Sequence, residues 1–203
     1  MNPADRNALE FALQIKEKAA QWDATGGKVE ITTLMLAPSE CEGILKETLA
    51  LEADRAVILS DSAFLAGDGT TAASALGQAA SKLKADLILC GEGTLGHCVA
   101  EEIEISSVHS IARILFDQGA LKLTSRKQKG EEEMIDVSPP LLASIIAGSN
   151  TPRIANAMKI MKAAKKEITR WTPADLDLAP DKVGSAASGM ERVRSFTPDS
   201  SSI

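Results

Sequence analysis

Three places in the chain carry residue types that could do chemistry. The first is Gly91-x-Gly93-x-x-Gly96, which follows an apolar run and opens a helix-like segment. Backbone N–H groups at a helix start attract phosphate, and glycines let the backbone approach it. Asp117 stands at the end of the next strand-like run, about 20 residues on, where a ribose-binding acid would fall. Two features leave another reading open. Glu92 puts a negative charge inside the loop, and the motif follows an inner strand rather than the first. The alternative is a shortened loop in which glycine serves tight turning. The second place is His97-Cys98 with Cys90 nearby. Metal ligation needs three or four convergent ligands at defined spacing, and no second Cys or His pair supplies them, so no metal site is assigned. Cys41 and Cys90 read as small buried residues, and His109 as structural or partly exposed. The third place runs from residue 150 to 168. Ile154, Ala157, Met158 and Met161 fall on one helical face, and Lys159, Lys162, Lys165 and Lys166 cover much of the rest. Lysines near a helix end complement its dipole. The functional reading is recognition of an acidic, apolar groove, for which adaptable Met side chains are suited. Glu131–Glu133 beside Lys127 and Lys129 makes a solvated hairpin. No credible Ser-His-Asp or Cys-His arrangement exists, so no catalytic residue is assigned.

Bulk properties narrow the classes. The 203 residues suit one large domain, or a domain with an arm. A net charge of −6, few aromatics and no Tyr argue against nucleic-acid binding. Three cysteines form no disulfide framework, which points to a reducing compartment and a cytoplasmic setting. No apolar run reaches the ~20 residues of a membrane span, and the charged N-terminus is not a signal peptide.

The elements that must position these residues alternate. A helix is expected over 3–21, with Asn2 as cap and Pro3 at the first helical position. Strands are expected over 28–36, 56–59, 87–90 and 108–116. Helices capped by Ser39, over 70–83 and over 96–104 lie between them. Segments 121–128 and 132–137 predict a hairpin with Gly130 at the turn. A fully apolar strand at 141–147 precedes the lysine-rich helix. From Trp171 the periodicity is lost, which predicts an arm over 171–203, disordered unless a partner holds it. The fold class expected is α/β: a doubly wound, mostly parallel sheet with an antiparallel hairpin flank and a C-terminal arm, divided as 1–170 and 171–203.

Four stretches together resemble one family. Asn150-Thr-Pro-Arg153 followed by Ile160-Met-Lys-Ala-Ala-Lys-Lys166 is similar to the docking signature of the electron-transfer flavoprotein beta subunit. Met1-Asn-Pro-Ala-Asp5 with Ala8-Leu9-Glu10, the block Thr48–Ala56, and Arg126–Gly130 with Glu133 and Pro140 resemble three more of its motifs. The resemblance implies an adenine-nucleotide alpha-hydrolase-like fold and pairing with an alpha subunit that holds most contacts to FAD. It also implies electron exchange with a flavoprotein dehydrogenase. By the same resemblance Asn2, Pro3, Ala4, Asp5 and Leu36 match positions that contact the adenosine part of AMP. With Gly91, Gly93 and Gly96 they form the expected cofactor-binding set. Arg153, Ala157, Met158, Ile160, Met161, Lys162 and Lys165 form the expected docking set.

Three departures matter. The family has a longer acidic loop after the position of Cys90, ending in Gln-x-Gly around the AMP phosphate. Here it is only Gly91–Gly96, so AMP binding of the usual kind is put in doubt. The family's anchoring Leu is Ala157, which buries less area, by about 1–3 kcal/mol, and predicts a different or weaker partner than acyl-CoA dehydrogenases. Lastly, the family's Met-Asn-Pro is internal, preceded by a flavin-facing loop and a strand at the centre of the sheet. The expectation is a truncated reading frame that leaves two strands with unpaired, facing edges. The alternative function is a doubly wound nucleotide-binding enzyme or sensor using the Gly91–Gly96 loop with Asp117.

Overall fold

The computed structural model describes residues 1–22, 29–117, 120–127, 129–190 and 193–196, without the side chains of Trp22 and Asp117. In chain order the elements are α1 (Pro3–Trp22), β1 (Thr32–Leu36), α2 (Glu42–Ala50), β2 (Arg55–Leu59), α3 (Ser62–Leu65), α4 (Gly69–Leu83), β3 (Leu87–Gly91) and α5 (Thr94–Glu102). Then follow β4 (Ser106–Asp117), β5 (Ala120–Arg126), β6 (Glu132–Val137), β7 (Leu141–Ile145), α6 (Ala157–Ala164), β8 (Thr169–Trp171) and α7 (Gly184–Ala187).

The strands form two sheets rather than one. The first is parallel, in the order β1-β2-β8. The second is mixed, in the order β3-β7-β4-β5-β6, with parallel pairing through β7 and the expected antiparallel flank β4-β5-β6. β1 and β3 are therefore edge strands. The same two helices cover both sheets. On one face, α1 packs Ala8, Phe11 and Ile15 against the second sheet, and Leu9 and Leu13 against Ile31, Leu51 and Ala53 beside the first. On the other face, α4 packs Ala75 and Ala79 with Leu34 and Leu36, and Ala73 with Leu142 and Ile88. Leu76 of α4 touches both clusters. β1 and β3 each pair on one side only, and both lie between α1 and α4.

Burial follows pairing. All of β7 and four of the five residues of β2 are buried, whereas every residue of β1 and β3 is only half-buried. Elsewhere the sequence reading needs adjustment. Ser39 opens a 3-10 turn and makes no side-chain cap to α2. The β5–β6 connection is wider than a two-residue turn: Lys127 N donates to Glu131 O at 2.8 Å and Gly130 N to Lys127 O at 2.9 Å. Gln128 lies outside the described residues. The lysine-rich helix is short, because residues 151–156 carry no regular secondary structure and Asn156 caps the helix through Lys159 N at 2.9 Å.

The segment after Trp171 is not free of the body. β8 pairs with β2, and Leu176 and Val183 are buried against Leu59, Phe64, Ala75 and Ala79. Asp68, the cap of α4, also accepts from Gly189 N and Ser188 Oγ, each at 3.0 Å. Met190, Val193 and Phe196 beyond it are exposed.

Candidate functional site

The carboxyl ends of β1 and β3 lie where the chain order reverses. β1 leads outward to β2, while β3 starts the other sheet, and α1 begins beside them. In open α/β sheets such a switch point is where ligands bind. The structure brings several of the expected residues together there. Asp5 Oδ1 accepts from Gly91 N at 2.6 Å. A Cβ on Gly91 would lie 2.9 Å from both the Ala4 Cβ and the Asp5 N, so only glycine allows α1 this close. Asn2 Oδ1 accepts from Ala4 N at 3.0 Å and Asn2 O from Arg6 N at 3.1 Å, which is the capping role its type implies. Pro3 is the first helical residue. Leu36 ends β1 half-buried, on the side facing α4.

The three glycines have separate jobs. Gly91 gives way to α1. Gly93 (φ 148°) turns the chain into α5, and a Cβ there would meet nothing within 4 Å. Gly96 lets α5 approach the sheet, since its Cβ would sit 2.5 Å from Cys90 Sγ. No side chain caps α5 and no acid occupies its first turn, so its leading N–H groups keep their capacity for an anion. Glu92 is exposed next to them, with Oε1 3.4 Å from Ala147 N. The Asp117 carboxylate lies outside the described residues. Burial and the nearby Asp5 push the Cys90 thiol up to about 11, so it is an inert packing residue rather than a nucleophile.

The second region is the segment 148–164. Asn7, a buried residue of α1, donates to Asn150 O and Oδ1 at 2.8 and 2.7 Å and accepts from Gly148 N at 2.9 Å. Asn150 Nδ2 returns a bond to Asn7 O at 2.9 Å. Arg153 holds Glu10 with Nε and Nη2 at 2.9 and 3.0 Å, adds its backbone N–H at 3.1 Å, and reaches Glu17 with Nη1 and Nη2. Burial raises the Glu10 carboxyl, yet the Arg153 hydrogen bonds outweigh it and hold the group below its ordinary value. The two carboxylates hold the Arg153 guanidinium above its own. Arg153, expected in the docking set, therefore points into the molecule and fastens the segment to α1. Asn7 and Glu10 had not been singled out as site residues. Their signal is the stripe Asn7, Glu10, Gln14, Glu17, polar residues repeating at helical spacing along α1.

Beyond this clamp the apolar side chains turn outward. Ile154 is 95% exposed, Met161 70%, Met158 66% and Ile160 54%. Ala157 is exposed with them, while Ala163 is buried against α2. Lys159 pairs with Glu52 at 2.9 Å and Lys166 Nζ donates to Ala53 O at 3.3 Å, so both serve the body. Lys162 and Lys165 are exposed beside the Met face.

His97 Nε2 and His109 Nδ1 share a short hydrogen bond, and His97 Nδ1 is buried without a partner. Burial and the neighbouring His109 hold His97 below its usual value. Among the described residues no three His, Cys, Asp or Glu converge as metal ligands, and no helix is long and apolar enough to cross a membrane.

The family described as Electron transfer flavoprotein domain matches residues 1–176. The chain is 32% identical to an electron transfer flavoprotein subunit beta of Thermoanaerobacterium thermosaccharolyticum, with 98% of this chain and 76% of the relative covered. A subunit beta of Clostridium acetobutylicum is 29% identical over the same shares. Subunit CarD of the caffeyl-CoA reductase-Etf complex of Acetobacterium woodii is 30% identical, again over 98% and 76%. On a match that runs through the switch point, the clamp and the exposed helix alike, the chain belongs to the electron transfer flavoprotein family, with beta subunits among its relatives.

Proposed function

We propose that the chain is the beta-type subunit of a heterodimer, pairing with an alpha subunit to carry electrons between a flavoprotein dehydrogenase and an acceptor. The observation that carries this reading is the outward Met and Ile face of α6, held in a fixed position by the Asn7–Asn150 and Glu10–Arg153 clamp. A rigid anchor with mobile, polarizable Met side chains suits a small, transient electron-transfer contact. Docking falls to Met158, Ile160, Met161 and Ala157, with Lys162 and Lys165 steering toward an acidic partner surface. Arg153 is a positioning residue. The exposed Met190, Val193 and Phe196, beyond the packed stretch that ends at Gly189, support contact of the tail with the alpha subunit.

FAD shared with the alpha subunit supplies the redox chemistry when bound. This chain offers it scaffold and the edge of a nucleotide pocket. The residues fit a phosphate at one place, the uncapped start of α5 beside the open space at Gly93, with Ala4 against the neighbouring Gly91. Glu92 and the engaged Asp5 disfavour a tightly held AMP there. No proton transfer or nucleophile is asked of the chain, which acts as a carrier in the cytoplasm.

The test is co-expression with the alpha subunit and a visible spectrum of the purified material. A flavin band that appears only with the second subunit supports the reading; absence of any flavin in the pair counts against it. The uncapped α5 also favours a second reading, a doubly wound nucleotide-binding enzyme or sensor. Tight NAD or ATP binding by the chain alone would support that one.

A further inference from the structure

We propose that Lys46 of α2 is a positioning residue: it seats α6 against the body and so governs how well the outward Met face meets its partner. The docking half of this rests on the function proposed above, while the seating of α6 does not. The helix has little apolar hold of its own. Of its eight residues only Ala163 is buried, in a cluster with Leu45, Leu49 and Ala50 of α2. One alanine removes little apolar area from water, so polar contacts must fix the helix. Its end also lacks the usual left-handed cap. Lys165 follows α6 at φ −89°, and residues 157–170 contain no glycine. Lys165 N donates to Lys162 O at 3.2 Å and Lys166 N to Ala163 O at 3.0 Å, which satisfies two of the last carbonyls. Lys46 Nζ takes the next ones, donating to Ala164 O at 3.2 Å and to Lys166 O. A cation there satisfies orphan acceptors and complements the helix dipole.

The tie is reciprocal. Lys166, just past α6, donates through Nζ to Ala53 O, just past α2, at 3.3 Å, and Lys159 at the start of α6 pairs with Glu52 at 2.9 Å. Each helix is thus held beyond its C-terminal end by a lysine from the other segment. Lys46 is directed to α6 rather than into an ion pair along its own helix. The acid one turn before it, Glu42, is engaged by Arg170 Nε at 2.8 Å, and the adjacent Glu47 by Arg6 at 2.9 Å. Lys46 itself is half-buried, with its stem along α2. Ala163 faces inward while Met158, Ile160 and Met161 face outward, so a shift of the helix moves the docking face as a unit.

The experiment compares Lys46→Met, which keeps the stem and removes the cation, with Lys46→Arg, which keeps a cation and its donors. In the flavin-loaded heterodimer, amide exchange over residues 157–166, read by mass spectrometry, should quicken about threefold or more in Lys46→Met and stay near wild type in Lys46→Arg. Exchange over α1 and β7 should not change. With the heterodimer as varied substrate of the co-purifying dehydrogenase, Lys46→Met should raise KM about threefold or more and leave kcat unchanged, because fewer molecules present a seated α6. Lys46→Arg should restore KM. The rise in KM should persist at high salt, where steering by an exposed charge is screened. Unchanged exchange over α6 overturns the proposal. So does faster exchange with an unchanged KM, or a KM effect that vanishes at high salt. Met158→Gln with Met161→Gln separates the two readings. An unchanged KM in that variant removes the docking function, and the docking role of Lys46 with it. A raised KM there beside an unchanged KM in Lys46→Met removes the role of Lys46 alone.

Discussion

The loop from Gly148 to Arg153 and the helix that follows it are consecutive in the chain and opposite in environment. In the loop, Gly148, Asn150 and Arg153 are all engaged by polar side chains of α1. A few residues later Ile154, Met158 and Met161 stand in water. One stretch of chain thus joins a fastened loop to an exposed apolar face. Under the proposed docking, the difference teaches that a signature residue need not touch the partner: Arg153 acts through what it holds.

The strongest way to break the fastening half is Arg153→Ala. It leaves the Glu10 carboxylate, only 5% exposed, without its counter-ion, and should cost about 3 kcal/mol in denaturant unfolding at neutral pH. Arg153→Lys should recover only part, because the two-pronged contact needs the guanidinium fork. The pH dependence sharpens the point. Glu10 and Glu17 both titrate below their ordinary value in the folded state, Glu17 chiefly through its Arg153 hydrogen bond. Their contribution is present above the ordinary carboxylate value and is lost as pH falls through the folded values. The stability gap between wild type and Arg153→Ala should therefore narrow on acidification, which urea melts at neutral and acid pH will show.

Gly91→Ala attacks the contact between α1 and β3, where the new Cβ meets Ala4 and the Asp5 backbone. A loss of about 1–3 kcal/mol is expected in thermal melts. Gly93→Ala adds no clash but strains a positive φ, and should cost less. On the presenting side, Lys162→Gln with Lys165→Gln should leave stability within about 0.5 kcal/mol. Its effect should be a lower association rate with the dehydrogenase and a weaker salt dependence in stopped-flow measurements.

Periodic elements were legible. Most predicted helices and strands recur in the structure, with shifted ends, because apolar spacing and β-branched runs report one buried face. The closeness of Asp5 to Gly91 was legible through the resemblance, and the cap role of Asn2 through residue type alone. Three things were not. The packed tail was missed because Leu176, Leu178 and Val183 sit on 3-10 turns and irregular backbone, which carry neither period. The clamp was missed because Asn7 and Glu10 read as surface residues until Asn150 and Arg153 cover them. The length of α6 was overread because Ile154 falls at helical spacing from Met158 and Met161, although the helix starts only after the cap Asn156.

The central claim is that the outward Met face of α6 is where electrons are handed between flavoproteins. Met158→Gln with Met161→Gln in the flavin-loaded heterodimer tests it most directly, with flavin reduction by the co-purifying dehydrogenase followed by stopped flow. Both side chains are exposed in the chain, so the melting temperature and flavin content should not change, while the reduction rate should fall about tenfold or more. An unchanged rate in a fully folded, flavin-loaded variant would contradict the account.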